Sequence, residues 1–368
     1  MGEGGTACSA CPRSRPPGRT IRRRIAGPRA LPGIDPPAPQ EESGGAVHHP
    51  RKASHDRPTP EHAMIQNLVD GILTGSIYSL AAIGLTLVMH MLRFANFSYA
   101  ELLGIGAYSA LVFDRLFSAL VPALDAAIGP LTLSWALVAA TLIAMAITGA
   151  SAVLFDWLVF KRIRAKADFQ SMVFASFGMA LIVRNIITLA FGHRAELYSN
   201  DIAFAVVLSR DPMLLVRPDQ VFTLGAAVVL MLGFHLVLTR TTFGFALRAV
   251  AENPNLAQVS GVRLSAMVTA VWMIGGALSA AAGIFYALTN HLSPIMGHNF
   301  VLPVFAATIV GGIGSVYGAV LGGFIVGIAG GLSLLILPSG YTPAMPFLLI
   351  LGVLLLRPHG LFGEDRDQ

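Results

Sequence analysis

The chain has 368 residues, of which 54% are hydrophobic and only 12% charged, with a mean hydropathy of +0.67. Soluble proteins carry about 25% charged residues, so this composition excludes an ordinary water-soluble enzyme and points to lipid as solvent. The net charge of +5 does not indicate a nucleic-acid partner: residues 1–63 hold ten basic and six acidic residues, and the rest of the chain holds 15 and 14.

Residues 1–63 are rich in Pro, Arg and Gly and have no apolar periodicity. Such a segment buries too little surface to offset ordering and reads as disordered. Arg22, Arg23 and Arg24 resemble a twin-arginine signal, but AGPRALPGIDPPAPQ follows where an apolar region is required. The run from Met64 opens the apolar region directly, so a mis-assigned gene start is the other reading. Cys8 and Cys11 form a lone CxxC in this tail, a weak zinc or redox signal without a second pair or a His cluster.

Nine apolar runs follow, at about 66–90, 102–121, 132–158, 171–191, 221–239, 265–289, 301–314, 316–337 and 341–356. About 20 apolar residues cross a bilayer core. The expected fold is therefore an all-α polytopic membrane protein with about nine transmembrane helices, eight to ten at the limits. The run 301–314 is short and reads as broken or re-entrant, which requires protein or water around it.

Between the first two runs lies LRFANFSYAELLGIGAY, residues 92–108. Asn96, Ser98 and Glu101 could satisfy a broken helix end, and a carboxylate suits a helix N-terminus. Glu101 reads either as a helix-start charge paired with Arg93 or as a group in gating, because an acid at membrane depth usually faces the bundle interior or water. Arg93, Asn96, Glu101 and Asn185 are the candidate pathway or gating residues. Arg184, beside Asn185 in the fourth run, either pairs with an acid in the bundle or reaches an interface.

Lys161, Arg162, Arg164 and Lys166 follow the third run; Arg240, Arg248 and Arg263 follow the fifth. Two runs separate these clusters, so both fall on one side, which the positive-inside rule makes cytoplasmic. The loop 192–220 holds three basic and four acidic residues, which suits the outside.

Residues 240–263 are a polar island, since 264–356 contain no Lys, Arg, Asp or Glu. Apolar residues at 243, 246, 247 and 250 form a helical stripe. Asn253 is placed to N-cap a second short helix with Pro254 at its first position, and Gly261 to end it in the left-handed conformation. Two short helices joined by a turn suit docking into a partner's groove; three arginines are few for a helix lying on lipid headgroups.

Gly314, Gly318 and Gly322 are spaced by four, as are Gly323, Gly327 and Gly331. Each row reads as a cleared helix face for close packing. GGIGSVYG lacks the Gly-Lys-Ser/Thr of a phosphate loop. No HExxH, GxSxG or DxDxDG motif is present, and His90, His235, His291 and His298 are scattered, so neither a metal site nor an enzyme is expected. A stand-alone channel or ion-coupled carrier would need several ionisable residues at midplane, and the charge-free 264–356 argues against it.

Residues 64–363 resemble the inner-membrane permease subunits of branched-chain amino-acid ABC transporters of the LivH type. The resemblance is carried by GSIY at Gly75, GLT at Gly84, RFANFSYAEL with Gly106-Ala-Tyr, GFALRAVAENPNLAQVSGV, GGAL at Gly275 with Ala282-Gly, GGIGSVYGAVLGG and RPHGLFG. It implies a permease domain over 64–363, cytoplasmic coupling helices over 240–263 and a short tail over 364–368. It implies ATPase-coupling roles for Phe245, Arg248, Ala249, Glu252, Asn253, Pro254, Ala257 and Gly261. It further implies a multi-pass subunit of the bacterial inner membrane without its own ATPase site. ATP would be held by partners: two cytoplasmic ABC ATPases, beside a related permease and a periplasmic binding protein. A permease for urea or short amides is the alternative reading. The tail 1–63 and Arg184, where the family usually has a neutral polar residue, depart from the pattern.

Overall fold

The computed structural model describes residues 60–92, 94–126, 129, 131–164, 168–198, 206–210, 213–357 and 359–363. Residues 1–59, with Cys8, Cys11 and the arginine run, lie outside the described residues, as do Arg93, Lys166 and the tail 364–368.

Twelve α-helices and one hairpin are described, in the order α1 (Pro60–Leu92), α2 (Glu101–Leu120), α3 (Trp135–Phe155), α4 (Lys161–Arg164), α5 (Phe169–Phe191), β1 (Val206–Arg210), β2 (Met213–Val216), α6 (Pro218–Arg240), α7 (Thr242–Glu252), α8 (Pro254–Val259), α9 (Leu264–Thr289), α10 (Met296–Gly311), α11 (Val316–Ser333) and α12 (Met345–Leu356). Seven helical segments among the described residues are long and apolar enough to cross a membrane; α10 and the segment ending in α12 are apolar but shorter. The protein is a mostly helical, polytopic membrane protein.

Three differences from the sequence reading have local causes. The antiparallel hairpin β1–β2, pairing Val206 with Val216, interrupts an otherwise helical chain. Its backbone bonds are shared between strands, so only long, well-aligned apolar alternation would have announced it. The first helix begins at Pro60, six residues before the expected start and within the supposed tail. The last two runs are shorter than expected, because α11 ends at Ser333 and a 3-10 turn, Ser339–Ala344, precedes α12.

Small residues set the packing. In lipid there is little hydrophobic gain in joining two apolar helices, so close backbone approach and interhelical hydrogen bonds do the work. Gly323, Gly327 and Gly331 of α11 lie against Ser79, Gly75, Gly71 and Asn67 of α1. There the Ser79 hydroxyl also donates to the Val320 carbonyl at 2.7 Å. Gly318 and Gly322 lie on another side of α11, against Gly311 and Ala307 of α10. Gly314 belongs to neither row. It sits in the turn before α11 with φ +99, next to Gly312 at φ +102, in a region that L side chains rarely adopt. Ser315 then caps α11 by accepting from the Gly318 amide at 3.1 Å. Spacing by four groups residues only while the helix lasts, and here it begins at Val316.

Helix α9 is the centre. Gly275 meets Gly84 of α1, Gly276 meets α3 at Thr148 and Gly149, and Gly283 and Ala280 meet α2 at Leu103 and Gly106. Trp272 of α9 is fully buried and stacks on Phe160 with ring centroids 5.5 Å apart.

The two ends of the bundle differ in charge. One recess is lined by His90 at the end of α1, Arg164 of α4, Val250 and Pro254 of the polar island and Leu264 of α9. The basic segments 161–164 and 240–263 therefore share one end, called the basic end below. The closing segment joins it there: the amides of Leu361 and Phe362 donate to Val310 and Gly311. At the opposite end Asp70, Arg217, Gln220 and Asn290 converge, and Arg115 pairs with Glu196 at 2.7 Å.

Candidate functional site

The polar island folds as two helices set against the basic end. The chain turns sharply after Arg240, and Gly244 lies so close to the Leu238 carbonyl that a Cβ would collide with it. Gly244, Leu247 and Val250 of α7 are buried, with Phe243 and Ala246 half-buried beside them. The stripe visible in the sequence is thus the face that holds α7 to the bundle. The Asn253 side chain accepts from the amides of Asn255 and Leu256 at 3.1 and 3.0 Å, and Pro254 opens α8. Gly261, at φ +92, closes it: the Val262 amide donates to Ala257 and the Gly261 amide to Gln258. That pair of bonds is the Schellman stop, which satisfies carbonyls left over at a helix end.

The opposite face is a ridge. Phe245 is 61% exposed, and the Arg248 guanidinium lies over its ring at 4.9 Å. Arg248, Ala249 and Glu252 are exposed along the same side. Leu256 and Val259 of α8 extend it. Sequence reading missed these two; the available signal was that a six-residue helix is too short to bury two sides. Ala257, one of the expected coupling residues, is buried and anchors α8, with Pro254 half-buried at the recess beside it.

A second polar site lies inside the bundle, where α1 gives way to α2. Asn96 caps the 3-10 turn Phe97–Ala100, accepting from the Ser98 amide at 3.1 Å and hydroxyl at 2.7 Å. Three contacts clamp this turn. The Phe97 ring is stacked between Phe177 of α5 and Phe305 of α10, at 4.0 and 4.7 Å. The Phe97 amide donates to the Ser176 hydroxyl at 3.1 Å. The Tyr99 hydroxyl donates to the Gly275 carbonyl of α9 at 2.8 Å.

The clamped turn delivers Glu101 to the first position of α2, with its side chain fully buried. Arg184 of α5 donates to its Oε1 through Nη2 at 2.7 Å and Nε at 3.2 Å. Oε2 points at Gly297, in the first turn of α10, where a Cβ would crowd it. The carboxylate therefore lies at the start of α2, beside the first turn of α10 and against a guanidinium, with Oε2 buried and without a hydrogen-bond partner. Its partner among the described residues is Arg184; the pairing with Arg93 considered from sequence lies outside them. The Asn185 side chain turns outward and donates to the Leu181 carbonyl, so it does not join the pair. Among the described residues no group of three or more His, Cys, Asp or Glu converges as a metal site would.

Comparison with known proteins identifies the architecture. A family model described as the permease component of the branched-chain amino acid transport system matches residues 67–356. The chain is 29% identical over 319 residues to the high-affinity branched-chain amino acid transport permease LivH of Salmonella typhimurium, covering 83% of this chain and 97% of that protein. It is 27% identical over 307 residues to BraD of Pseudomonas aeruginosa, with the same coverage. A probable LivH of Methanocaldococcus jannaschii is 28% identical over 307 residues, covering 81% of this chain and 92% of that protein. No solved structure matches. The chain belongs to the family of branched-chain amino acid transport permease components.

Proposed function

We propose that this chain forms the membrane pathway of an ATP-driven importer for branched-chain or other hydrophobic amino acids. The substrate named for its relatives supports that class. On this reading the chain binds no cofactor, and ATP is hydrolysed on two cytoplasmic ABC ATPases. A second, related permease completes the pathway and a periplasmic binding protein delivers the solute. The subunit sits in the bacterial inner membrane with nine crossings, α10 and α12 supplying the two short ones. Nine crossings, with the basic end inside, put Arg162, Arg164, Arg240, Arg248 and Arg357 in the cytoplasm, as the positive-inside rule asks.

The exposed ridge of α7 and α8 carries the proposal. It is rigidly capped, joined to the bundle along its inner face, and offers Phe245, Arg248, Leu256 and Val259 outward. An aromatic and an arginine side by side are favoured anchors of protein interfaces, and the form is that of a helix laid into a groove. The ridge seats in the ATPases, and their closure presses it against the recess it shares with α1, α4 and α9. The pathway then responds through the central helix α9. Replacing Arg248→Glu together with Ala249→Asp is expected to abolish co-purification of the ATPases and to reduce uptake to background. Intact assembly and uptake in that variant would refute docking through the ridge.

A further inference from the structure

Among the described residues Arg184 is a cation that is deep, partly accessible and incompletely used. Arg184 lies seven residues before the end of α5, which places it about 10 Å inside that end at 1.5 Å per residue. That depth falls within the hydrocarbon core of a bilayer, about 30 Å thick. An arginine there is costly against lipid and is kept where protein or water surrounds it.

Its accessible edge is flanked on α5 by exposed apolar residues, Leu181, Ile182 and Ile186, and by polar Asn185. The Arg184 side chain retains 20% of its exposure while its counter-ion, Glu101, retains none. Both nitrogens that bond Glu101 go to the same oxygen, Oε1. Among the described residues Nη1 has no acceptor. Asn185 on α5 and His298 and Asn299 at the start of α10 are all exposed, and His298 lies within the field of Arg184. Asn185 adjoins Arg184 in sequence, and His298 and Asn299 follow Gly297, which lies against Glu101, in a protein whose residues 264–356 carry no Lys, Arg, Asp or Glu.

The exposed side of the ion pair is its cationic side, since Arg184 is the member that keeps accessible surface. Glu101 takes both of its hydrogen bonds from Arg184 on Oε1, while Oε2 is buried without a partner. Arg184 therefore keeps one donor edge, Nη1, free of the pair while its side chain remains partly accessible. We propose that Arg184 is a cationic site in the transport pathway and that its free guanidinium edge receives the carboxylate of the passing solute. The site selects solutes bearing a carboxylate over neutral amides of the same shape. This deepens the reading of the chain as an amino-acid permease and rests on it. A guanidinium suits the task because its planar fork matches a carboxylate and its charge survives burial.

The test uses the full chain in its assembled transporter, with Cys8→Ser and Cys11→Ser removing both native thiols. Asn185→Cys supplies a reporter, probed with anionic sulfonate-bearing and cationic trimethylammonium-bearing methanethiosulfonates. With Arg184 present, the anionic reagent should react about tenfold faster, the ratio for opposite unit charges a few ångströms from a cation in water. Arg184→Lys should keep the preference. Arg184→Gln combined with Glu101→Gln, which leaves no unpaired buried charge, should abolish it. Leucine should slow the modification and leucinamide should not. A reporter unreachable from water, or a reagent ratio unchanged in the double variant, overturns the inference. Leucine uptake by the parent transporter is measured in parallel. Its absence alongside an Arg184-dependent anion preference supports the cationic site and overturns only the substrate reading.

Discussion

The α7–α8 ridge and the Glu101–Arg184 site are both polar exceptions in an apolar protein, and they are built by opposite means. The ridge is local: its cap, its stop and its corner are each made by residues within six positions of one another. The internal site is distributed: Glu101, Arg184 and Gly297 come from α2, α5 and α10, and the aromatic stack that positions them draws on the same separation. Local construction suits a part that must stay folded while a partner comes and goes. Distributed construction suits a part that must sense the relative positions of several helices.

The comparison breaks most sharply at the internal site. Arg184→Leu leaves Glu101 buried without its counter-ion, at a cost of about 3–5 kcal/mol. Thermal unfolding in detergent should show that loss, and adding Glu101→Gln should recover most of it. Failure to recover would mean that the arginine stem, not the charge, holds α5.

A smaller effect tests the distributed packing. Gly327→Leu forces a side chain into the α1 backbone at Gly71 and Gly75, which should cost about 1–3 kcal/mol by overpacking. Gly330→Ala, on the same helix but facing open space, should leave the unfolding temperature unchanged. Equal effects at the two positions would remove the case for a cleared face.

The ridge should respond weakly in stability and strongly in coupling. Asn253→Ala removes two hydrogen bonds from the start of α8 and should cost about 1 kcal/mol. Amide exchange over 255–260 should quicken while the unfolding of the bundle stays put. Phe245→Ala, at an exposed position, should change stability by less than about 0.5 kcal/mol. ATPase co-purification should nevertheless fall. Global unfolding in either variant would show that the ridge is part of the core after all.

Much of the ridge is legible in the amino-acid sequence. Asn253, Pro254 and Gly261 act through bonds to backbone a few residues away, so their roles can be read from spacing alone. The inward stripe of α7 is equally clear. Its outward partner surface is less so, since Leu256 and Val259 look like any apolar pair until α8 is known to be six residues long. The internal site is half legible. Glu101 and Arg184 each stand out as ionisable groups among apolar residues, but 83 positions separate them and no periodicity links one to the other.

The sequence by itself determined the lipid environment, the approximate places of the apolar helices, the grouping of the basic loops and the caps of the short helices. All of these depend on composition or on contacts across a few residues. Only the tertiary structure decided that Glu101 pairs with Arg184, that the two glycine rows face different helices while Gly314 belongs to a turn, and that Ala257 faces inward. Those outcomes depend on which helix lies beside which, and in an apolar bundle nearly every helix offers a similar surface. Small residues and buried polar pairs then select the neighbour through contacts that are distant in the chain.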